Sequence, residues 1–175
     1  MLNILNESAE VPPIDAVVGY RLFREGAIAP SRGTEHAAGY DLHAWAGPDF
    51  STASYIIAPG DMQMIKTGLN LRIPAGYEVQ IRPRSGLAAK KQITVMNSPG
   101  TIDADYDGDG EGFEIVVMLK NTGTQEFVVT HGMRIAQMVV KQVPNVKLEE
   151  VFGDNNNRLH SSRYGGLGST GLNSK

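Results

Sequence analysis

Cysteine is absent from all 175 residues, which excludes disulfide staples, thiolate nucleophiles and thiolate metal sites. A surplus of positive charge is missing too: 16 Lys and Arg stand against 19 Asp and Glu, a formal net charge of −3. Broad neutralisation of a nucleic-acid backbone is therefore not expected, and any phosphate recognition has to be local, built from a few arginines. No apolar run approaches the ~20 residues of a membrane-spanning helix. The opening Met1-Leu2-Asn3-Ile4-Leu5-Asn6-Glu7 lacks a basic start and a continuous apolar stretch, so it does not read as a signal peptide. The expectation is a soluble, cytoplasmic protein with neither a membrane nor a nucleic acid as partner. Helical periodicity is also nearly absent.

What replaces it is a series of short runs, alternating or β-branched, broken by Gly, Pro, Asn and Asp. They cover residues 17–23, 55–58, 69–73, 77–81, 93–96, 113–120, 127–130, 134–143 and 148–152, and Tyr77-Glu78-Val79-Gln80-Ile81 alternates cleanly. Residues 86–91 offer a single helical turn. With 41% hydrophobic and 20% charged residues, the composition is that of one ordinary globular core, and many short strands at this spacing predict an all-β sandwich or barrel. Three segments are expected: a polar N-terminal arm over 1–13 ending at Pro12-Pro13, a β-barrel domain over 14–152, and a flexible C-terminal arm over 153–175 rich in Gly, Ser and Asn.

Ten of the twenty glycines gather around 33–39, 100–112 and 165–171, where tight turns or close backbone approach to a ligand would need them. In the arm, Arg163-Tyr164-Gly165-Gly166-Leu167-Gly168-Ser169-Thr170-Gly171 combines converging backbone N–H groups, hydroxyls and a guanidinium fork, a set suited to phosphate. A flexible Gly/Ser tail has similar composition; the arginine favours phosphate. Pro83-Arg84-Ser85-Gly86 holds the same ingredients at a strand end, and two such sites fit a ligand with several phosphates. Carboxylates complete the set. Asp41, Asp103 and Asp105 near phosphates would hold Mg²⁺ through its waters or act as a base on water, although aspartates also favour turns for their own backbone bonds.

Asp103-Ala104-Asp105-Tyr106-Asp107-Gly108 with Glu114 satisfies the calcium-loop pattern of an EF-hand. Such a loop needs a helix on each side, whereas Pro99-Gly100 precedes this one and both flanks read as strands, so the match is treated as accidental. His36, His43, His131 and His160 show no metal-ligand spacing.

Five segments, in order over residues 37–171, resemble the homotrimeric dUTPase family: Ala38-Gly39-Tyr40-Asp41-Leu42, Pro83-Arg84-Ser85-Gly86-Leu87, Asn97-Ser98-Pro99-Gly100-Thr101-Ile102-Asp103-Ala104-Asp105-Tyr106, Gly132-Met133-Arg134-Ile135-Ala136-Gln137, and the glycine-rich tail. The resemblance implies a jelly-roll-type β-barrel, a homotrimer with active sites between subunits, and a mobile C-terminal arm that closes over nucleotide. It implies hydrolysis of dUTP to dUMP and pyrophosphate, which limits uracil incorporation into DNA and supplies dUMP for thymidylate synthesis. Asp103 would be the general base and Asp41 would hold the water shell of Mg²⁺. Arg84, Ser85, Gly86 and Gln137 would position the phosphates. Asn97, Gly100, Thr101 and Ile102 would read uracil, with Tyr106 flat on the deoxyribose. Arg163, Gly168, Ser169 and Thr170 would grip the γ-phosphate from the arm.

The chain departs from the family in three places. Leu167 stands where a phenylalanine is usual, Arg163 lies one residue closer to the glycine pair, and residues 107–114 form a longer, more acidic turn. Alternatives to the hydrolase are a dUTP-binding regulatory module, for which a general base would be superfluous, and a dCTP deaminase of the same fold, which lacks this arm motif. Because leucine keeps apolar contact but loses stacking worth about 1 kcal/mol, Leu167→Phe is expected to lower the KM for dUTP severalfold. An unchanged or higher KM in steady-state pyrophosphate release would contradict it.

Overall fold

The computed structural model describes residues 15–49, 54–106 and 113–150. The N-terminal arm, residues 107–112 and the arm segment carrying Arg163, Leu167, Gly168, Ser169 and Thr170 lie outside the described residues. The chain divides into two units, Met1–Pro144 and Asn145–Lys175. In the second, residues 145–150 are described and contain no helix or strand.

The first unit carries the described secondary structure: β1 (Gly19–Leu22), β2 (Ser31–Arg32), β3 (Tyr40–His43), β4 (Ser54–Ile57), β5 (Met62–Lys66), β6 (Leu69–Arg72), β7 (Tyr77–Arg82), α1 (Ser85–Lys91), β8 (Ile93–Val95), β9 (Gly100–Ile102), β10 (Val116–Asn121), β11 (Phe127–Thr130) and β12 (Arg134–Gln142). They form four antiparallel sheets, ordered β1-β6, β5-β10-β8, β11-β4 and β2-β3-β12-β7-β9. Period-two alternation explains which face each strand buries. In β7, Val79 and Ile81 turn inward while Glu78, Gln80 and Arg82 stay partly exposed, and in β10 Val117, Leu119 and Asn121 turn inward. The core gathers Leu42, Ile57, Ile65, Leu69, Leu119, Val129 and Ile135, all at 1% exposure or less. Each such burial contributes roughly 1.5–3 kcal/mol. The buried Asn121 amide is satisfied: it donates to the carbonyls of Ile57 and Gln125 and accepts from Gly123 N–H.

The expected all-β class holds, and α1 begins one residue before the expected helical turn. Strands β2, β3, β5 and β9 were not expected. Two are three residues or fewer, and β5 is mostly Met, Gln and Lys, so pairing with β10 rather than intrinsic preference makes it a strand. The expected strand over 148–152 is corrected: residues 148–150 are not extended in a ladder, and Leu148 is 93% exposed. Alternation alone makes no strand without a neighbour to bond. After β12, Val143 N–H reaches the carbonyl of Gly76, and Val146 and Leu148 then face solvent.

One ion pair ties distant segments together. Arg24 donates through Nε (3.0 Å) and Nη2 (2.8 Å) to the two oxygens of Glu114, and Glu114 Oε1 also accepts the Gly68 N–H at 2.9 Å. The guanidinium carbon lies over the Phe23 ring at 5.0 Å and over the Trp45 ring at 4.7 Å. Gly68 has φ +67°, and a Cβ there would sit 2.7 Å from that of Ala27, so only glycine fits. Burial pushes the Glu114 carboxyl upward, but the Arg24 hydrogen bond, the Gly68 N–H and the nearby charges of Arg24 and Lys66 outweigh it, leaving it below its ordinary value.

A carboxylate with a depressed folded-state pKa stabilises the fold above its unfolded value and loses that contribution as pH falls through the folded one. Glu114→Gln is therefore expected to cost roughly 1–3 kcal/mol at about pH 7, with the gap to wild type narrowing at about pH 3. Urea unfolding of both proteins at the two pH values tests this; a gap independent of pH would refute it.

Candidate functional site

The site is assembled by β12, which lies inside the five-stranded sheet. Gln137 on β12 faces Asp41 on β3 along one edge and Arg82 on β7 along the other. Directly paired residues share a face, so an acid, an amide and a guanidinium line up on the face opposite the buried Leu42, Met138 and Ile81. Gln137 Nε2 donates to the carbonyl of Pro83 at 2.9 Å. Gly39 makes room for that amide, because a Cβ at 39 would lie 2.6 Å from Gln137 Oε1.

Asp41 is held by two arginines. Arg84 Nε donates to Oδ1 at 2.8 Å and Arg134 Nη1 to Oδ2 at 3.1 Å, while Arg84 Nη1 also donates to the carbonyl of Arg134. Beside this cluster, the half-buried His43 imidazole is pushed below its ordinary pKa, first by burial and then by Arg134 and Arg84, with Asp41 pulling the other way. It is therefore a neutral neighbour at pH 7.

Next to the row lies a cleft of about 490 Å³, lined by Gln80, Arg82 and Pro83 from β7 and its end, Ser85 and Ala88 from α1, Ser98 and Pro99 before β9, and Gln137 from β12. Of the residues expected from sequence, Ser85 and Gln137 border this cleft. Arg84 and Asp41 do not; they are engaged with one another. Gly86 is exposed in α1. Asn97 packs its amide against Gly100, whose Cβ position is 3.0 Å from Nδ2, so the loop folds tightly onto the start of β9. Gly100, Thr101 and Ile102 pair with Ile81, Gln80 and Val79. Asp103 follows β9, exposed, in a turn closed by Tyr106 N–H to the Asp103 carbonyl. The Tyr106 ring meets Phe113 at 5.3 Å. No cluster of three or more metal-ligating side chains occurs among the described residues.

Sequence reasoning assigned no role to Gln80, Arg82 or Arg134. For the first two the signal was present: the alternation that buries Val79 and Ile81 places Glu78, Gln80 and Arg82 together on the other face.

Solved structures share this architecture. The dUTPase from Streptococcus mutans aligns with a TM-score of 0.64 at 28% identity, covering 74% of this chain and 98% of that one. A dUTPase mutant of Staphylococcus bacteriophage 80alpha with dUpNHpp aligns with a TM-score of 0.71 at 21% identity, covering 89% and 99%. The fold class is thus that of the all-β dUTPase barrel. Sequence narrows this further. The dUTPase family model matches residues 25–171. Proteins named deoxyuridine 5'-triphosphate nucleotidohydrolase from Rickettsia akari and Rhizobium etli are 46% identical over 145 residues and 43% over 148, covering 82% and 85% of this chain and 88% of each relative. The chain belongs to the dUTPase family.

The Gly39–Gln137 contact gives a local test. In Gly39→Ala the methyl group is expected to displace the Gln137 amide from Pro83 at a stability cost of about 1 kcal/mol. Gly33→Ala, where an added Cβ meets nothing within 4 Å, should be silent. The Gln137 side-chain amide signals in NMR check this, and unmoved signals in Gly39→Ala would count against it.

Proposed function

We propose that this chain hydrolyses dUTP to dUMP and pyrophosphate, by attack of a water on the α-phosphorus with Asp103 as general base. The supporting observation is the cleft itself. In a chain of the dUTPase family, Ser85, Ser98-Pro99 and Gln137, from three separate family motifs, meet around one hollow.

In this reading Asp103 accepts the proton of the attacking water, the bond between the α-phosphorus and the bridging oxygen breaks, and pyrophosphate leaves. Ser85, Gly86, Gln137 and Arg84 position the phosphate chain. The segment Asn97 to Tyr106 reads uracil through backbone and amide groups, so cytosine leaves polar groups unpaired. Tyr106 packs on the deoxyribose. Arg163, Leu167, Gly168, Ser169 and Thr170 close over the ligand from the arm. The product dUMP feeds thymidylate synthesis, and removal of dUTP keeps uracil out of DNA.

The chemistry of Asp41 suits Mg²⁺ held largely by the substrate. A carboxylate has about four lone-pair sites; two are taken by Arg84 and Arg134, which leaves room for metal-bound water. Mg²⁺ typically takes one or two carboxylates plus substrate phosphates. When bound it would offset the charge of the departing pyrophosphate.

The reading includes a homotrimer with active sites between subunits, and the spacing of these groups supports sites shared between chains. Ile102 pairs with Val79 near the start of β7, whereas Ser85 lies beyond its end, on the order of 10 Å or more away along the strand. In this reading Asp103 and the phosphate-positioning residues of one chain serve different sites, and each complete site draws Asp103 from a neighbour.

Pyrophosphate release from each dNTP with Mg²⁺ tests the function. Turnover of dUTP in strong preference to dCTP and dTTP is expected. Asp103→Asn should lower kcat about a hundredfold to ten-thousandfold while dUpNHpp still binds. Turnover of dCTP but not dUTP would overturn the reading.

A further inference from the structure

We infer that Arg82 is a binding residue for the distal phosphates of the nucleotide, held in place by Gln80 and Glu78. This rests on the proposed dUTP hydrolysis and adds to it a residue outside the five family segments.

The ladder begins with alternation. Glu78, Gln80 and Arg82 share the polar face of β7, two residues apart, above a core that fixes the strand through Val79 and Ile81. Gln80 Nε2 donates to Glu78 Oε1 at 2.6 Å, and Gln80 Oε1 accepts from Arg82 Nε at 3.1 Å and Nη2 at 2.5 Å. The chain of bonds has one sense only. The carboxylate accepts and cannot donate, so it draws the NH₂ end of the amide, and the oxygen end is left facing the guanidinium. Glu78 thus orients Gln80, and Gln80 holds two of the three nitrogens of Arg82. Nη1 lies outside these bonds.

Two further observations put Arg82 beside the cleft with its charge available. Arg82 lines the cleft with Ser85 and Gln137, and it stands directly across from Gln137 in the sheet. It also makes no ion pair among the described residues, since the Glu78 bond goes to Gln80. Arg84 differs on both counts: it is ion-paired to Asp41, bonded to the Arg134 carbonyl, and not part of the lining. Within the described cleft, Arg82 is the guanidinium whose charge has no carboxylate of its own. A preorganised, unpaired guanidinium beside a serine hydroxyl and an amide suits phosphate oxygens.

The test compares binding of dUMP and dUpNHpp to the full chain with Mg²⁺ by calorimetry, with oligomeric state measured by light scattering. Arg82→Gln should weaken dUpNHpp roughly tenfold, as for loss of one charge-assisted bond, and change dUMP by about twofold or less. Glu78→Gln removes the group that orients the amide, so a smaller, roughly threefold loss confined to dUpNHpp is expected. Should Arg82→Gln fail to fold, Arg82→Lys carries the comparison, because lysine keeps the charge without the fork and should lose affinity severalfold for dUpNHpp alone. Unchanged dUpNHpp affinity would overturn the proposal. So would equal loss of dUMP, or a loss that merely tracks a changed oligomeric state. Should wild type prefer deoxycytidine nucleotides, the hydrolase reading fails, and the same monophosphate-to-triphosphate contrast in that series still decides the role of Arg82.

Discussion

The site depends on one irregularity in β12. In a regular antiparallel ladder, the pairs Gln137 with Asp41 and Ala136 with Leu42 would continue to Ile135 with His43. Instead Arg134 pairs with His43, so β12 carries one extra residue there. A slip of one residue exchanges faces, and a bulge is the ordinary way to place such a slip locally. Its effect here is visible in burial: Ile135 and Ala136 are both in the core, at 1% and 0% exposure. Arg134 comes onto the polar face, where it reaches Asp41. Without the extra residue, Ile135 would stand on the polar face and Arg134 would turn towards the core.

That rearrangement divides the work of three arginines. Asp41 is largely buried, with 15% of its side chain exposed, and a carboxylate so placed is costly unless its oxygens are bonded. Arg134 takes one oxygen and Arg84 the other, and Arg84 is then anchored again on the Arg134 carbonyl. Asp41 thereby offsets one of the two guanidinium charges. Arg82, on the neighbouring strand, is oriented by a neutral amide instead. An amide fixes direction without cancelling charge, so the two arginines differ less in sequence, two positions apart, than in electrostatic availability.

How much of this was legible differed by element. Alternation predicted β7 and β10 because each buries one face against the core, while β12 was legible as a β-branched run that buries adjacent residues. It failed at 148–150, where the same kind of pattern has no ladder partner and Leu148 stands in solvent. Family resemblance singled out Ser85 and Gln137, which border the cleft. It also directed attention to Arg84 and away from Arg82, although the alternation around Val79 and Ile81 already placed Arg82 with Gln80. The pairing of Arg134 with Asp41 was out of reach, because it depends on a bulge joining residues 93 positions apart, and no local pattern announces that.

The acidic turn shows the same dependence on context. Glu114 completes a calcium-loop pattern in sequence, yet its two oxygens accept bonds from Arg24 and from the Gly68 N–H, and the chain around it leaves β9 and enters β10 rather than joining two helices. What the residue does there is close a loop. Tyr106 and Phe113, at the two sides of residues 107–112, bring their rings to 5.3 Å, and the Arg24 pair locks the next residue, so the returning chain is fixed before Ile115 N–H bonds the Leu69 carbonyl and β10 begins. A loop whose ends are fixed costs only about 0.6 kcal/mol for each doubling of its length. The ring pair and the ion pair thus fix the described chain on either side of residues 107–112, after Asp103 on one side and before β10 on the other.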